Sequence, residues 1–412
     1  MPSSRPPIRD NGDRHLTPTY HHGVDVARFS DRQARGVREV LTGERAIRAL
    51  DAEGFWAVVA TFEGAVTAVR FAEVRLGRHD VPPTPWVALD GEWDSSLDRG
   101  AYLAAVRQVR DRIAAGTVYQ ANICRLMSHA LGAGADLDGL DALLREGNPA
   151  PRASRIRVDS AGLDVVCASP ELFLHRSGKR IVSQPVKGTA KSAETMLAKD
   201  YAENVMIVDL VRNDLSHVCR EGTIDVEALC AVVPHPGLVH LASTVAGELL
   251  ADIGWGAILE ATFPPASVSG APKSSALTTI TDLETAPRGP YCGAIGWVDT
   301  DRGEAELAVG IRTFWAEKDE NGKRWLRFGT GAGITWGSDP EGEWEETELK
   351  AARLVGLASG LLHKVGRGAD ASGVDGEGTS DARSHAEDPH RQPAVLATPA
   401  STCGRSAWGA AY

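Results

Sequence analysis

Cysteine is scarce and unpatterned in this chain. The six residues, Cys124, Cys167, Cys219, Cys230, Cys292 and Cys403, form no CxxC and no cluster with histidine. That spacing argues against a redox pair or a Cys/His metal cluster and predicts reduced thiols that fill small gaps. No run approaches about 20 apolar residues, so no membrane-spanning helix is expected. Met1 to Asp13 is polar and proline-rich without an apolar h-region, which predicts no signal peptide and a cytoplasmic location. Positive charge is also short: 44 Lys plus Arg against 55 Asp plus Glu give a net charge of -11. Nucleic-acid binding, which needs a basic face, is therefore not expected. No GxGxxG opens a helix after a strand, no Gly-Lys-Ser/Thr closes a phosphate loop, and no internal repeat is visible.

What is present suits a globular protein. Hydrophobic residues make up 43% and charged residues 24% of the 412 positions, enough for a sizeable core. Residues 1–21 read as a flexible arm and 22–96 as strands that pack on the body. Residues 97–362 read as the main folded body and 363–412, rich in Gly, Ser, Ala, Asp and Pro, as a disordered tail. Gly54 to Phe62 and Ala65 to Phe71 predict two strands joined at Glu63-Gly64. Leu97 to Ala115 carries helical spacing that Gly116 ends. Short strands mixed with helices, out of regular βαβ order, predict an α+β architecture.

Two predicted helices carry carboxylates in telling places. In Lys199 to Leu215, Val205, Met206, Val208 and Leu210 are expected to bury most of the circumference, which leaves Glu203 out of place. A carboxylate on a buried helix must be paired, protonated or metal-bound. Asp339 to Ala358 starts with a capping residue and Pro340, and sets Glu343, Glu346 and Lys350 along one face. That face reads either as a solvated, salt-bridged helix start or as part of a Mg²⁺ site shared by Glu203 and Glu346.

Other segments are weaker alone. Phe328 to Ile334 (FGTGAGI) reads as a tight turn or as a backbone N–H nest for a carboxylate. Arg312 follows an apolar strand and is either a surface charge or a carboxylate grip. Lys187 lies between a strand and a Gly-Thr turn, and is either solvent-facing or a nucleophile. Glu171 is a possible general acid or base, and His240 sits in an apolar run where a satisfied core histidine is the commoner outcome.

In order along the chain, these segments resemble the chorismate-binding enzyme family. The matching blocks include GTVYQANICR (116–125), SPELF (169–173), PVKGT (185–189), KDYAENVMIVDLVRNDL (199–215), VHLAST (239–244), FPPASVSGAPK (263–273), ETAPRGPYCGAIGW (284–297) and GIRTFW (310–315). The last is FGTGAGITWGSDPEGEWEETELKAARL (328–354). The resemblance implies two packed antiparallel β-sheets flanked by helices, with the substrate, chorismate, between them. It implies Mg²⁺ held by Glu203 and Glu346 with Glu343 assisting. It further implies chorismate contacts from Gly188, Thr189, Ser267, Tyr291, Arg312, Gly331, Gly333 and Lys350, with catalysis by Lys187, Glu171 and His240.

Within the family, water-adding members carry a lysine where this chain has Gln120. Anthranilate synthases carry a small residue where it has Lys187. The pair resembles the aminodeoxychorismate synthase branch, in which the lysine adds to C2 of the ring and ammonia then enters at C4. Anthranilate or 2-amino-2-deoxyisochorismate formation is the alternative. No glutaminase region accompanies the matched part, so ammonia is expected from a separate glutamine amidotransferase subunit or from solution. Ala190-Lys191-Ser192, Ala266 and Ser269 depart from the family's usual residues.

Overall fold

The structure, a computed structural model, describes residues 25–77, 85–132, 134–235 and 238–361. The expected arm and tail lie outside the described residues, as does most of the Pro-rich connection before Trp86. In chain order come β1 (Val26–Arg28), β2 (Arg32–Thr42), α1 (Gly43–Ala49), β3 (Phe55–Ala60), β4 (Val66–Leu76), β5 (Asp94–Ser95), α2 (Arg99–Ala114), β6 (Gln120–Ala130), α3 (Leu137–Gly147), β7 (Arg152–Val158), β8 (Leu163–Ser169) and β9 (Leu172–Ser177). There follow β10 (Arg180–Gln184), β11 (Val186–Ala190), α4 (Ala198–Ser216), β12 (Asp225–His235), β13 (Leu238–Glu248), α5 (Trp255–Thr262), β14 (Gly270–Ala271), α6 (Lys273–Leu283), β15 (Ala294–Asp299), β16 (Glu304–Val309), β17 (Thr313–Lys318), β18 (Arg324–Ile334) and α7 (Pro340–Ala358).

The strands form two antiparallel sheets, as expected. One runs β2-β4-β3-β15-β16-β9-β10-β13, with β11 beside β10 along one side of β13 and β12 on the other. The second runs β7-β8-β17-β18-β6, with β5 and β14 on the far side of β6. The short β1 pairs with both β2 and β7 and so links them. Strand β3 (FWAVVA) is buried at every position, as a continuous apolar run between neighbouring strands predicts.

Apolar faces then place the helices. Val211 and Leu215 of α4 share a core with Trp255 and Ile258 of α5 and with the first sheet. Leu354 and Leu357 of α7 pack with α3 against Phe314 and Phe328. Tyr102 and Val109 of α2 pack with α6 against Ile123 and Ala332. Two expectations are corrected. Val205 is 47% exposed, so α4 is buried along one side rather than around most of its circumference. The glycine-rich 328–334 segment is not a turn but the end of a strand, paired with β6 residue by residue.

Candidate active site

Residues of both sheets meet around Gly333. A β-carbon at that position would lie 2.4 Å from Nε2 of Gln120, at the start of β6, and 3.2 Å from Nζ of Lys187 on β11. Lys187 therefore points inward from the first sheet at the last turn of the second sheet's glycine strand. Gly188 makes this geometry local to the sequence: its φ of +87° and the register break between Val186 and Thr189 bulge the strand. A side chain at 188 would also meet Asp200, Met196 and Leu241. Thr189 lies opposite His240, which is buried on β13.

Glycines in β18 allow close approach. A β-carbon at Gly329 would strike the Tyr291 ring at 2.1 Å, and one at Gly331 would strike Sγ of Cys124 at 2.5 Å. Strand β17 ends its pairing at Phe328, so beyond it one edge of β18 is open. The Gly331 carbonyl accepts from Nζ of Lys350 at 3.0 Å instead of from β6. Opposite it, Cys124 N–H donates away from β18, to Glu284, and Asn122 N–H likewise donates to Ser269. Since N–H and C=O of one strand residue point the same way, the N–H groups of Gly331 and Gly333 face that open edge. Gln120, 1% exposed, adds a side-chain oxygen with no hydrogen-bond partner among the described residues.

Helices α4 and α7 bring the acids. Asn204 anchors α4 by donating to the carbonyl of Leu241 at 3.1 Å and, more weakly, to that of Lys187 at 3.5 Å. Helix α7 is fixed to β18 by Thr330, whose hydroxyl donates to the Thr347 carbonyl at 2.9 Å. Burial pushes the Glu203 carboxyl above its ordinary range; the Lys187 ammonium opposes this and the charge of Glu346 adds to it. Burial likewise raises Glu343, against a hydrogen bond from Ser338, with Glu346 again adding. Burial pushes Glu346 upward too, but Lys350 at 2.6 Å, with Lys187 and Lys199, outweighs it and leaves that carboxyl below its ordinary range.

Glu171 differs from these. It is 3% exposed, between β8 and β9, and burial lifts its carboxyl to about 7, against the pull of the facing Ser267 hydroxyl, Lys187 and the Val186 backbone. It borders a small pocket whose other polar walls include Ser183, Asp214, Thr262 and Ser267.

Arg312 follows β16 in the left-handed region (φ 53°), a conformation that is strained for a residue with a side chain. Its guanidinium has no ion pair among the described residues, and burial together with the charge of Arg353 holds it below its ordinary value. Tyr291 is buried with its hydroxyl 3.9 Å from the Cys124 thiol. No hydrogen bond or ion pair among the described residues joins Arg312 or Tyr291 to the Lys187 group.

Of the predicted residues, the structure brings together Lys187, Glu171, Glu203, Glu346, Glu343, Lys350, Gly331, Gly333 and Ser267. Lys199 and Asn204, both at this site, were missed. The reasoning that singled out Glu203 as a polar residue in an apolar helix applied equally to its neighbour Asn204. Among the described residues no three His, Cys, Asp or Glu side chains form a full metal-ligand set. Two half-buried carboxylates whose charges act on each other, Glu203 and Glu346, fit the sparser demand of Mg²⁺, which takes one or two carboxylates and completes its shell with water and substrate.

The sequence pattern of the chorismate binding enzymes matches residues 52–356. Anthranilate synthase component 1 of Haloferax volcanii is 35% identical over 307 residues, 71% of this chain and 57% of that protein. Aminodeoxychorismate synthase component 1 of Escherichia coli is 33% identical over 279 residues, 65% of this chain and 59% of that protein. The chain spans about half to three-fifths of the length of the curated relatives it matches. In fold it is similar to anthranilate synthase component I of Streptococcus pneumoniae, with a TM-score of 0.66 and 20% identity over 84% of this chain and 95% of that one. It is similarly close to the menaquinone-specific isochorismate synthase MenF of Escherichia coli, at TM-score 0.67 and 20% identity over 81% of this chain and 88% of that one.

Proposed function

Because the chain belongs to the chorismate binding enzyme family, we propose that it aminates chorismate to 4-amino-4-deoxychorismate. The observation that carries this reading is the inward amine of Lys187, 3.2 Å from the β-carbon position of Gly333 and beside an amide at Gln120 rather than a second lysine. In this reading the N–H groups of Gly331 and Gly333, with Lys350, Arg312 and Tyr291, bind the two carboxylates of chorismate. Gly188, Thr189 and Ser267 border the ring. A half-buried cation with no acidic partner among the described residues, such as Arg312, is suited to an anionic ligand. Glu203 and Glu346 would hold Mg²⁺, with Glu343 behind them, and the ion when bound would supply positive charge that favours departure of the C4 hydroxyl.

Lys187 passes a proton to Glu171, whose carboxyl near 7 can both accept and return it. The neutral amine adds to C2, the ring double bond shifts, and the C4 oxygen leaves as water with the proton from Glu171, close to His240. Ammonia then bonds to C4, the double bond shifts back, and the C2–N bond breaks to release Lys187. Ammonia comes from a separate glutamine amidotransferase subunit, consistent with the component 1 naming of the relatives.

A second reading, anthranilate or 2-amino-2-deoxyisochorismate formation by direct attack of ammonia at C2, is favoured by the several relatives named anthranilate synthase. Incubation of the protein with chorismate, Mg²⁺ and ammonium separates the two. The proposal expects 4-amino-4-deoxychorismate; anthranilate formed without an added lyase overturns it.

A further inference from the structure

Strand β6 carries Gln120 to the site, yet its outer edge is only partly covered. Gly270 and Ala271 of β14 pair with residues 120–121, and β5 pairs with residues 127–128. Between these, side chains close the edge. Glu284 accepts from the backbone N–H of Cys124 at 2.8 Å. Arg288 donates to the Asn122 carbonyl at 2.6 Å and to both oxygens of Glu284 at 2.8 and 2.6 Å. The same guanidinium donates to the Val268 carbonyl at 2.8 Å. Val268 belongs to the single turn Ala266–Val268, whose Ser267 lines the same pocket as Glu171. Arg288 is 1% exposed, and its own N–H donates to Glu63 at 2.6 Å.

We propose that Arg288 is a positioning residue that holds two parts of the site in one frame: the β6 strand that presents Gln120 and the turn that presents Ser267 to Glu171. A planar, five-donor guanidinium can serve two backbone carbonyls and a carboxylate together, which a lysine ammonium cannot do in the same geometry. Glu284 keeps that cation paired away from water, and an unpaired buried charge would be costly. The groups facing Glu171 are Ser267 from the turn and Lys187 and the Val186 backbone from β11. Across the adjoining pocket stands Asp214, bonded to Lys273 at 2.7 Å. Arg288 touches none of these and acts on Glu171 only through the Ser267 turn.

This inference rests on the reading that Glu171 moves a proton, and its test keeps the two apart. Arg288→Lys is compared with wild type, Ser267→Ala and the double variant by chorismate consumption across pH. Glu171 itself is titrated by ¹³C NMR of carboxyl-labelled glutamate, with Glu171→Gln for assignment. Arg288→Lys is expected to lower kcat about tenfold with KM little changed and to move the Glu171 titration by about half a unit or more. In the Ser267→Ala background most of that effect disappears, with a coupling above about threefold. Should Arg288→Lys not fold, Glu284→Asp keeps the buried charge, shortens its reach and is expected to shift the same titration. A lower Tm with the Glu171 titration unmoved and effects additive with Ser267→Ala overturns the proposal. A wild type that consumes no chorismate sinks the functional reading alone, because the NMR titration needs no turnover.

Discussion

The amine of Lys187 and the amide of Gln120 converge on Gly333 from opposite sheets, 3.2 and 2.4 Å from where a β-carbon of residue 333 would stand. In the proposed reading, glycine at that position leaves the room in which the amine meets the substrate ring.

Gly333→Ala therefore fills the reacting space. Its neighbours are the ends of flexible side chains, so stability is expected to fall by only about 1 kcal/mol, while chorismate turnover falls at least about tenfold. Thermal unfolding and steady-state kinetics on the same preparation check the contrast. Equal losses in both would mean that position 333 supports packing alone.

Glu171 gives a pH signature. Its carboxyl titrates near 7 in the folded chain against an ordinary 4.5, so the folded state binds the extra proton between those values. Stability from this group is present below about 4.5 and falls as pH rises to about 7, by at most about 3 kcal/mol. Glu171→Gln, neutral throughout, is expected to flatten that decline and to abolish turnover. Denaturant midpoints at pH 5 and pH 8 measure it; an unchanged slope contradicts the burial-driven shift.

Glu203 and Glu346 are expected to act on one ion. Glu203→Gln and Glu346→Gln should each remove binding of Mn²⁺, used as a spin probe for Mg²⁺, and the double variant should be no worse than either, as for groups acting as a unit. Independent, additive losses of affinity would place the two carboxylates at separate sites.

Arg312→Ala is expected to raise KM for chorismate by about 10- to 100-fold, the loss of a charge-assisted contact. It should leave the fold intact, since no ion pair among the described residues depends on it and alanine, which keeps the β-carbon, adds no strain at the φ of 53°. A variant with wild-type KM would remove Arg312 from the carboxylate grip.

Local pattern carried much of this. The α4 and α7 boundaries, the β3–β4 hairpin and the acids on both helices follow from spacing, caps and composition within the segment itself. What pattern did not carry depends on partners distant in sequence. The glycines of 328–334 read locally as a turn, yet pairing with β6 and the crossing of Tyr291, Cys124 and Gln120 make them a strand. Val205 fits an apolar helix but lies on its outer side. Arg288 reads as one more charge in a loop, and only the folded chain brings Asn122, Val268 and Glu284 to it.

Intact mass spectrometry of the protein mixed with chorismate and Mg²⁺ in the absence of ammonia tests the role of Lys187 most directly. An adduct of chorismate less one water is expected, mapped to Lys187 by peptide digestion and released on adding ammonium. An unmodified chain, together with full amination by Lys187→Ala, would contradict it.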